Sequence, residues 1–113
     1  METAEKSLQA LVGRLPGIGA AALISREGVP LATVGMEEDM ADTLAALASG
    51  MCALANRLSN NLTNSAVRHL RVDLDSQDLV FAPTGSGAVL AVLRRDGASE
   101  AGIDRLREEA RDL

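Results

Sequence analysis

The chain has 113 residues, with 11 Lys and Arg against 16 Asp and Glu, a formal net charge of −5. Hydrophobic residues make up 47% of it, yet Phe81 is its one aromatic side chain. That balance gives neither a basic footprint for phosphates nor a stacking platform for bases, which excludes a nucleic-acid partner. One cysteine, Cys52, excludes an internal disulfide, and one histidine, His69, excludes a His-rich metal site, so no metal or other cofactor is expected. The start is charged and lacks the apolar core of a secretory signal. Apolar runs such as 20–24 and 88–93 fall far short of the roughly 20 residues that span a bilayer. These features read as a cytoplasmic protein of one domain, residues 1–113, with no membrane span.

In chain order, Leu8, Leu11, Val12 and Leu15 recur at helical spacing, with Thr3 as the expected cap. Pro16-Gly17 stops that helix. Two strands follow at 18–25 and 29–34, joined by a turn, Arg26-Glu27-Gly28, in which the glycine takes positive φ. Pro30 places the second strand at a sheet edge or stands at its start.

A long helix is predicted over 37–62, with Glu37, Glu38 and Asp39 at its N-terminal turn. Met40, Leu44, Leu47, Met51, Leu54 and Leu58 form a bulky stripe along it. Ala41, Ala45, Ala48, Cys52, Ala55 and Ser59 form a small stripe with the same spacing, about 100° around the axis. The apolar arc is nearly twice the roughly 100° that one buried face needs. The bulky stripe is expected to pack on a sheet, leaving the small one for a second partner.

After a turn at 60–64, residues 66–74 alternate as a half-exposed edge strand, with Leu70, Val72 and Leu74 on one face and Val67, His69, Arg71 and Asp73 on the other. Asp75 to Asp78 reads as a turn, 79–84 as a strand, and Gly85-Ser86-Gly87 as a hairpin turn. The unbroken apolar run 88–93 suits a central strand. A polar loop, 94–98, leads to a last helix capped by Ser99, with Ile103, Leu106, Ala110 and Leu113 inward. The order is α-β-β-α-β-β-β-α, an α+β class.

These residues resemble the Roadblock/LC7 family over nearly the whole chain. The resemblance rests on Leu15-Pro16-Gly17-Ile18 closing the first helix and on the hairpin from Leu23-Ile24-Ser25 to Val29-Pro30-Leu31-Ala32. It continues through Leu44-Ala45-Ala46-Leu47-Ala48, Ala88-Val89-Leu90-Ala91-Val92-Leu93 and Ala101-Gly102-Ile103. The resemblance implies a five-stranded antiparallel sheet, profilin-like, with the long helix on one face and the terminal helices on the other. It also implies a homodimer formed by paired long helices and joined edge strands, which binds and regulates a small Ras-like GTPase. The expected interface residues are Ala41, Ala45, Ala48, Cys52, Ala55, Val67, His69 and Arg71.

Sharper chemistry is poorly supported. Gly85-Ser86-Gly87 joins two strands instead of opening a helix, so it is no phosphate loop. Asp73, Asp75 and Asp78 suggest a calcium loop, but Thr84 stands where its glutamate is needed. Asn61-Leu62-Thr63 is a glycosylation sequon without a signal peptide, and Cys52 reads as a small buried hydrophobe. Arg57, Arg68, Arg71, Arg94 and Arg95 are the exposed candidates for an arginine supplied in trans to a GTPase, though solvated charge is their default. No acid, base and nucleophile constellation marks an enzyme. A dimeric scaffold without GTPase regulation would use the same surfaces; a ligand sensor would need an internal polar pocket. On this reading Ala48→Arg blocks helix approach and leaves the protomer monomeric.

Overall fold

The computed structural model describes residues 2–95 and 100–113. Its elements are α1 (Glu2–Arg14), β1 (Ile18–Ile24), β2 (Pro30–Val34), α2 (Glu38–Leu62), β3 (Leu70–Asp73), β4 (Gln77–Pro83), β5 (Val89–Arg95) and α3 (Glu100–Ala110). The strands form one antiparallel sheet in the order β2-β1-β5-β4-β3. The apolar β5 is central as expected, and β2, begun by Pro30, is an edge where a missing N–H costs no ladder bond.

The two sheet faces carry separate cores. On one, Leu8 and Leu11 from α1, Leu15 just after it, and Ile103, Leu106 and Ala110 from α3 cover Ala21, Leu23, Val80, Leu90 and Val92. On the other, Ala45 and Ala48 of α2 pack with Ala22, Ile24, Phe81 and Ala91. The long helix therefore lies alone on one face and the terminal helices share the opposite one, an α+β domain of the expected order.

Glycine is required at two turns. Gly28 has φ +86° between β1 and β2, where its N–H donates to the Ser25 carbonyl (3.0 Å). Gly35 has φ +75°, and a Cβ there would stand 2.7 Å from the Gly19 carbonyl oxygen. At the end of α2, Thr63 and Asn64 both donate backbone N–H groups to the Ser59 carbonyl, and Asn64 takes φ 56°, a conformation asparagine tolerates.

The starts of α1 and β3 depart from expectation. α1 begins at Glu2, so Thr3 lies within the helix, not ahead of it. The cap expected at Ser99 lies outside the described residues. β3 covers only Leu70–Asp73, because its register with β4 (Leu70 opposite Phe81) would set the next residues against Pro83, which has no N–H to offer.

The largest departure is at Asp78 and Arg94, which belong to β4 and β5 and not to a turn and a loop. They are cross-strand partners, 5% and 3% exposed. Arg94 Nε donates to Asp78 Oδ1 (2.8 Å) and Nη2 to Oδ2 (2.6 Å), a two-pronged grip. Arg71 Nε also donates to Asp78 Oδ2 (2.8 Å), and its Nη1 reaches Glu100 at the start of α3. One carboxylate thus joins the two inner strands to the edge strand and, through Arg71, to α3.

The α2 stripes exchange the roles expected of them. Ala41, Ala45 and Ala48 are buried, while Met40, Leu47, Leu54 and Leu58 are exposed. The reason is steric: alanines on the helix facing Ala22 and Ala91 let the backbones approach closely, which leucines would prevent. Ala48→Arg is therefore expected to force a charge and a long side chain into this core, costing about 3 kcal/mol or more in a urea melt, before any effect on association.

Asp78→Ala strips the buried Arg94 guanidinium of its carboxylate and is expected to cost about 3–5 kcal/mol by the same measurement. The hydrogen bonds from Arg94, more than any other influence, hold the Asp78 carboxyl below its ordinary 3.8, and burial opposes them. A depressed folded value means that this stabilisation is complete above the unfolded value and is lost as pH falls through the folded one. Stability should therefore drop in acid below the ordinary value of 3.8. Asp78→Asn should flatten that limb in pH-dependent urea midpoints.

Candidate functional site

With its alanines turned inward, α2 presents three faces. The inner one comprises Ala41, Ala45 and Ala48, continued by Cys52 and Ala55, which are half-buried. Beside it runs an outer ridge of Met40, Leu47, Leu54, Leu58 and Leu62, rising from 55% exposed at Met40 to 71% at Leu62. Leu44 and Met51, between ridge and sheet, pack partly against the core. The third face, Thr43, Ala46, Gly50, Ala53 and Arg57, is exposed, and its first four side chains are small.

Five large apolar side chains along one exposed helix make a contiguous patch, not the scattered exposure normal for a surface. Leu74, just beyond β3, is also half exposed. β3 itself is a sheet edge only four residues long, so its outer backbone groups are open to a further strand.

The eight residues expected at an interface do not form one surface. Ala41, Ala45 and Ala48 are core. Cys52, Ala55 and Val67 meet with Leu70 and Phe81 around a small apolar cleft of about 80 Å³ between α2 and the sheet. Val67 and His69 lie in the segment before β3, and Arg71 lies within the strand. The His69 Nδ1 is buried and lacks a hydrogen-bond partner. Burial pushes the Cys52 thiol above its ordinary value, which keeps it protonated near neutrality and fits a packing role. Periodicity could locate the exposed leucines but not say which stripe would be covered.

Two of the trans-acting arginine candidates are committed elsewhere: Arg94 is buried on Asp78, and Arg71 holds Asp78 and Glu100. Arg57, Arg68 and Arg95 are exposed. Asp78, one third of the supposed calcium loop, is spent on the two arginines, and no cluster of three or more His, Cys, Asp or Glu suited to a metal occurs among the described residues. The apolar cleft adjoins an open groove of about 450 Å³ between α2 and the turns at the sheet end, with Ser25, Arg26, Ser49 and Asn56 along it. Neither is the enclosed polar pocket that a ligand sensor requires. Among the described residues no helix is long and apolar enough to cross a membrane.

The sequence profile of the Roadblock/LC7 domain matches residues 5–94, from α1 through most of β5. Among solved structures, a Roadblock/LC7 domain from Streptomyces avermitilis is 34% identical over 94% of this chain and 87% of its own, with a TM-score of 0.83. Myxococcus xanthus MglB superposes with a TM-score of 0.73 at 18% identity, covering 82% of this chain and 77% of that one. An MglB with a tetrameric arrangement gives 0.77 at 21% identity, covering 96% and 88%. No curated protein matches the chain. At those identities the MglB likenesses establish the fold alone.

Proposed function

The chain belongs to the Roadblock/LC7 family, and from that premise we propose that it is a cytoplasmic homodimer that binds and regulates a small Ras-like GTPase. The observation that carries the reading is the leucine ridge of α2 beside the open edge of β3. A two-fold axis through this region would pair ridge with ridge and β3 with β3, making an isologous interface.

The energetics favour using both elements together. Covering a half-exposed leucine or methionine gains about 1 kcal/mol or slightly more, so five on each protomer gain on the order of 10 kcal/mol. Association costs roughly 4–15 kcal/mol in lost freedom. The ridge alone therefore sits near balance, and joining the β3 edges supplies the surplus as backbone hydrogen bonds. Seating there also brings the segment holding Val67, His69 and Arg71 to the seam, where the His69 Nδ1 would gain access to a partner atom. Of the eight expected residues these three stay in the proposal; the five on the inner face of α2 support the ridge from below.

Dimerisation through the ridge leaves the third face of α2 open. Thr43, Ala46, Gly50 and Ala53 form a smooth track on which a globular partner can sit closely, with Arg57 at its end. That face, doubled by symmetry, is the proposed GTPase platform. The GTPase assignment itself rests on family membership. This protein then acts by positioning its partner's own machinery and not as an enzyme.

Light scattering at tens of micromolar should give the mass of a dimer. The double variant Leu47→Glu with Leu54→Glu should weaken association at least about 100-fold with an unchanged circular dichroism spectrum, since exposed positions tolerate charge in the monomer. A wild-type monomer at that concentration overturns the dimer. Ala46→Arg with Ala53→Arg should keep the dimer but abolish co-elution with the cognate GTPase and any change in its GTP turnover. No co-elution by the wild type in either nucleotide state overturns the GTPase reading. Stable complexes with other proteins at unchanged GTP turnover would make the chain a scaffold instead.

A further inference from the structure

Where the last turn of α3 meets the end of β4, Arg68, Arg107 and Arg111 surround a cleft of about 330 Å³ floored by Pro83. We propose that this cleft binds an acidic peptide segment of a partner protein, its carboxylates gripped by the three guanidinium groups.

The convergence is unusual for a chain of net charge −5. Arg107 and Arg111 stand one turn apart on or just beyond the end of α3, where the helix dipole favours cations. That accounts for two charges but not for Arg68, which arrives from the segment before β3. Of the three arginines, only Arg107 is paired with an acidic residue of α3. Glu109 faces α1 and is paired with Arg14 (2.9 Å), and the charge of Asp112 also acts on Arg14. Asp104 holds Arg107 Nη2 (2.6 Å), yet Arg107 Nε is buried and has no hydrogen-bond partner. Arg68 and Arg111 are exposed and make no ion pair among the described residues. Arg68 and Arg111, without ion pairs among the described residues, repel one another across the cleft, and an anion converts that repulsion into binding.

The cleft's construction selects spaced carboxylates over a compact phosphate. Its nearest helix presents a C-terminal end, whose carbonyls repel a dianion: the Leu113 carbonyl already accepts from the Ser86 N–H, and the Arg111 carbonyl lies against Gly85. An extended acidic chain can instead meet each guanidinium fork from the solvent side and lay its methylene stems on Pro83. Arg107 and Arg111 belong to α3 and its end, away from α2, while Arg68 arrives from the segment that borders the proposed dimer seam.

The test is a nuclear magnetic resonance titration of the full isotope-labelled chain with a hexaglutamate peptide, and in parallel with inorganic phosphate. The peptide should shift amides at Arg68, Ala82, Thr84, Arg107 and Arg111. Its affinity should fall roughly tenfold in R68A/R111A and again on raising the salt, as expected for exposed charge pairs. Light scattering of R111A alone, a substitution outside the proposed dimer seam, should show the oligomeric state unchanged, which separates this site from the proposed dimer. Absence of shifts at millimolar peptide, peptide binding unaltered in the variant, or the same shifts from phosphate alone would each overturn the proposal, the last by making it a site for free oxyanions.

Discussion

Ala45 and Ala48 meet Ala22 and Ala91 in the layer between α2 and the sheet, and this contact between methyl groups governs what the rest of the helix can do. A helix seated so closely has no room beneath it for long side chains. Leu44 and Met51 are held at the margin, half in the core, and Leu47, Leu54, Leu58 and Leu62 are turned outward. The exposed ridge is thus not surplus hydrophobicity scattered over a surface. It is the geometrical consequence of a close-packed inner face on a helix that is apolar over nearly half its circumference. An apolar ridge of this kind is most stable when covered, and a second copy offers its equal.

The number and order of the elements were legible in the sequence because each carried its own period. Leu8, Leu11 and Leu15 repeat as a helix does, residues 88–93 read as a buried strand, and Pro16 and Gly28 punctuate the chain. The facing of α2 was not legible. Its two stripes share one spacing, so periodicity shows that both are apolar and says nothing about which meets the sheet. That choice is made by the other layer, where small Ala22 and Ala91 alternate with bulky Ile24 and Phe81. Reading it requires the strand parity and the register together.

The ionic part of the fold was hidden for a different reason. Asp78 beside Ser76 and Gln77, and Arg94 beside Arg95, look like turn and loop residues, because isolated charges are seldom buried. Only the register that sets Asp78 opposite Arg94 makes each the other's partner. Once paired, they extend both strands beyond their apolar runs and under α3. Arg71 then ties the edge strand to the same carboxylate and to Glu100. A residue that sequence placed at the interface is in this way partly a fastening, holding β3 in position so that its outer edge stays straight and open.

The two faces of the sheet consequently differ in physical character. The α2 side ends in apolar surface, whose attraction is short-ranged and little affected by salt. The side of α1 and α3 carries its polar contacts as ion pairs, Arg14 with Glu109 and Arg107 with Asp104, and at its end Arg107 and Arg111 meet Arg68 at the cleft beside Pro83. Exposed charge is screened over about 8 Å at physiological ionic strength. Self-association through the first face and anion recognition through the second therefore respond to different conditions. A two-fold dimer formed across α2 and β3 would carry the basic cleft twice, one copy on each protomer. Two weak acidic contacts of that kind, presented on one rigid body, would strengthen each other if a single partner reached both.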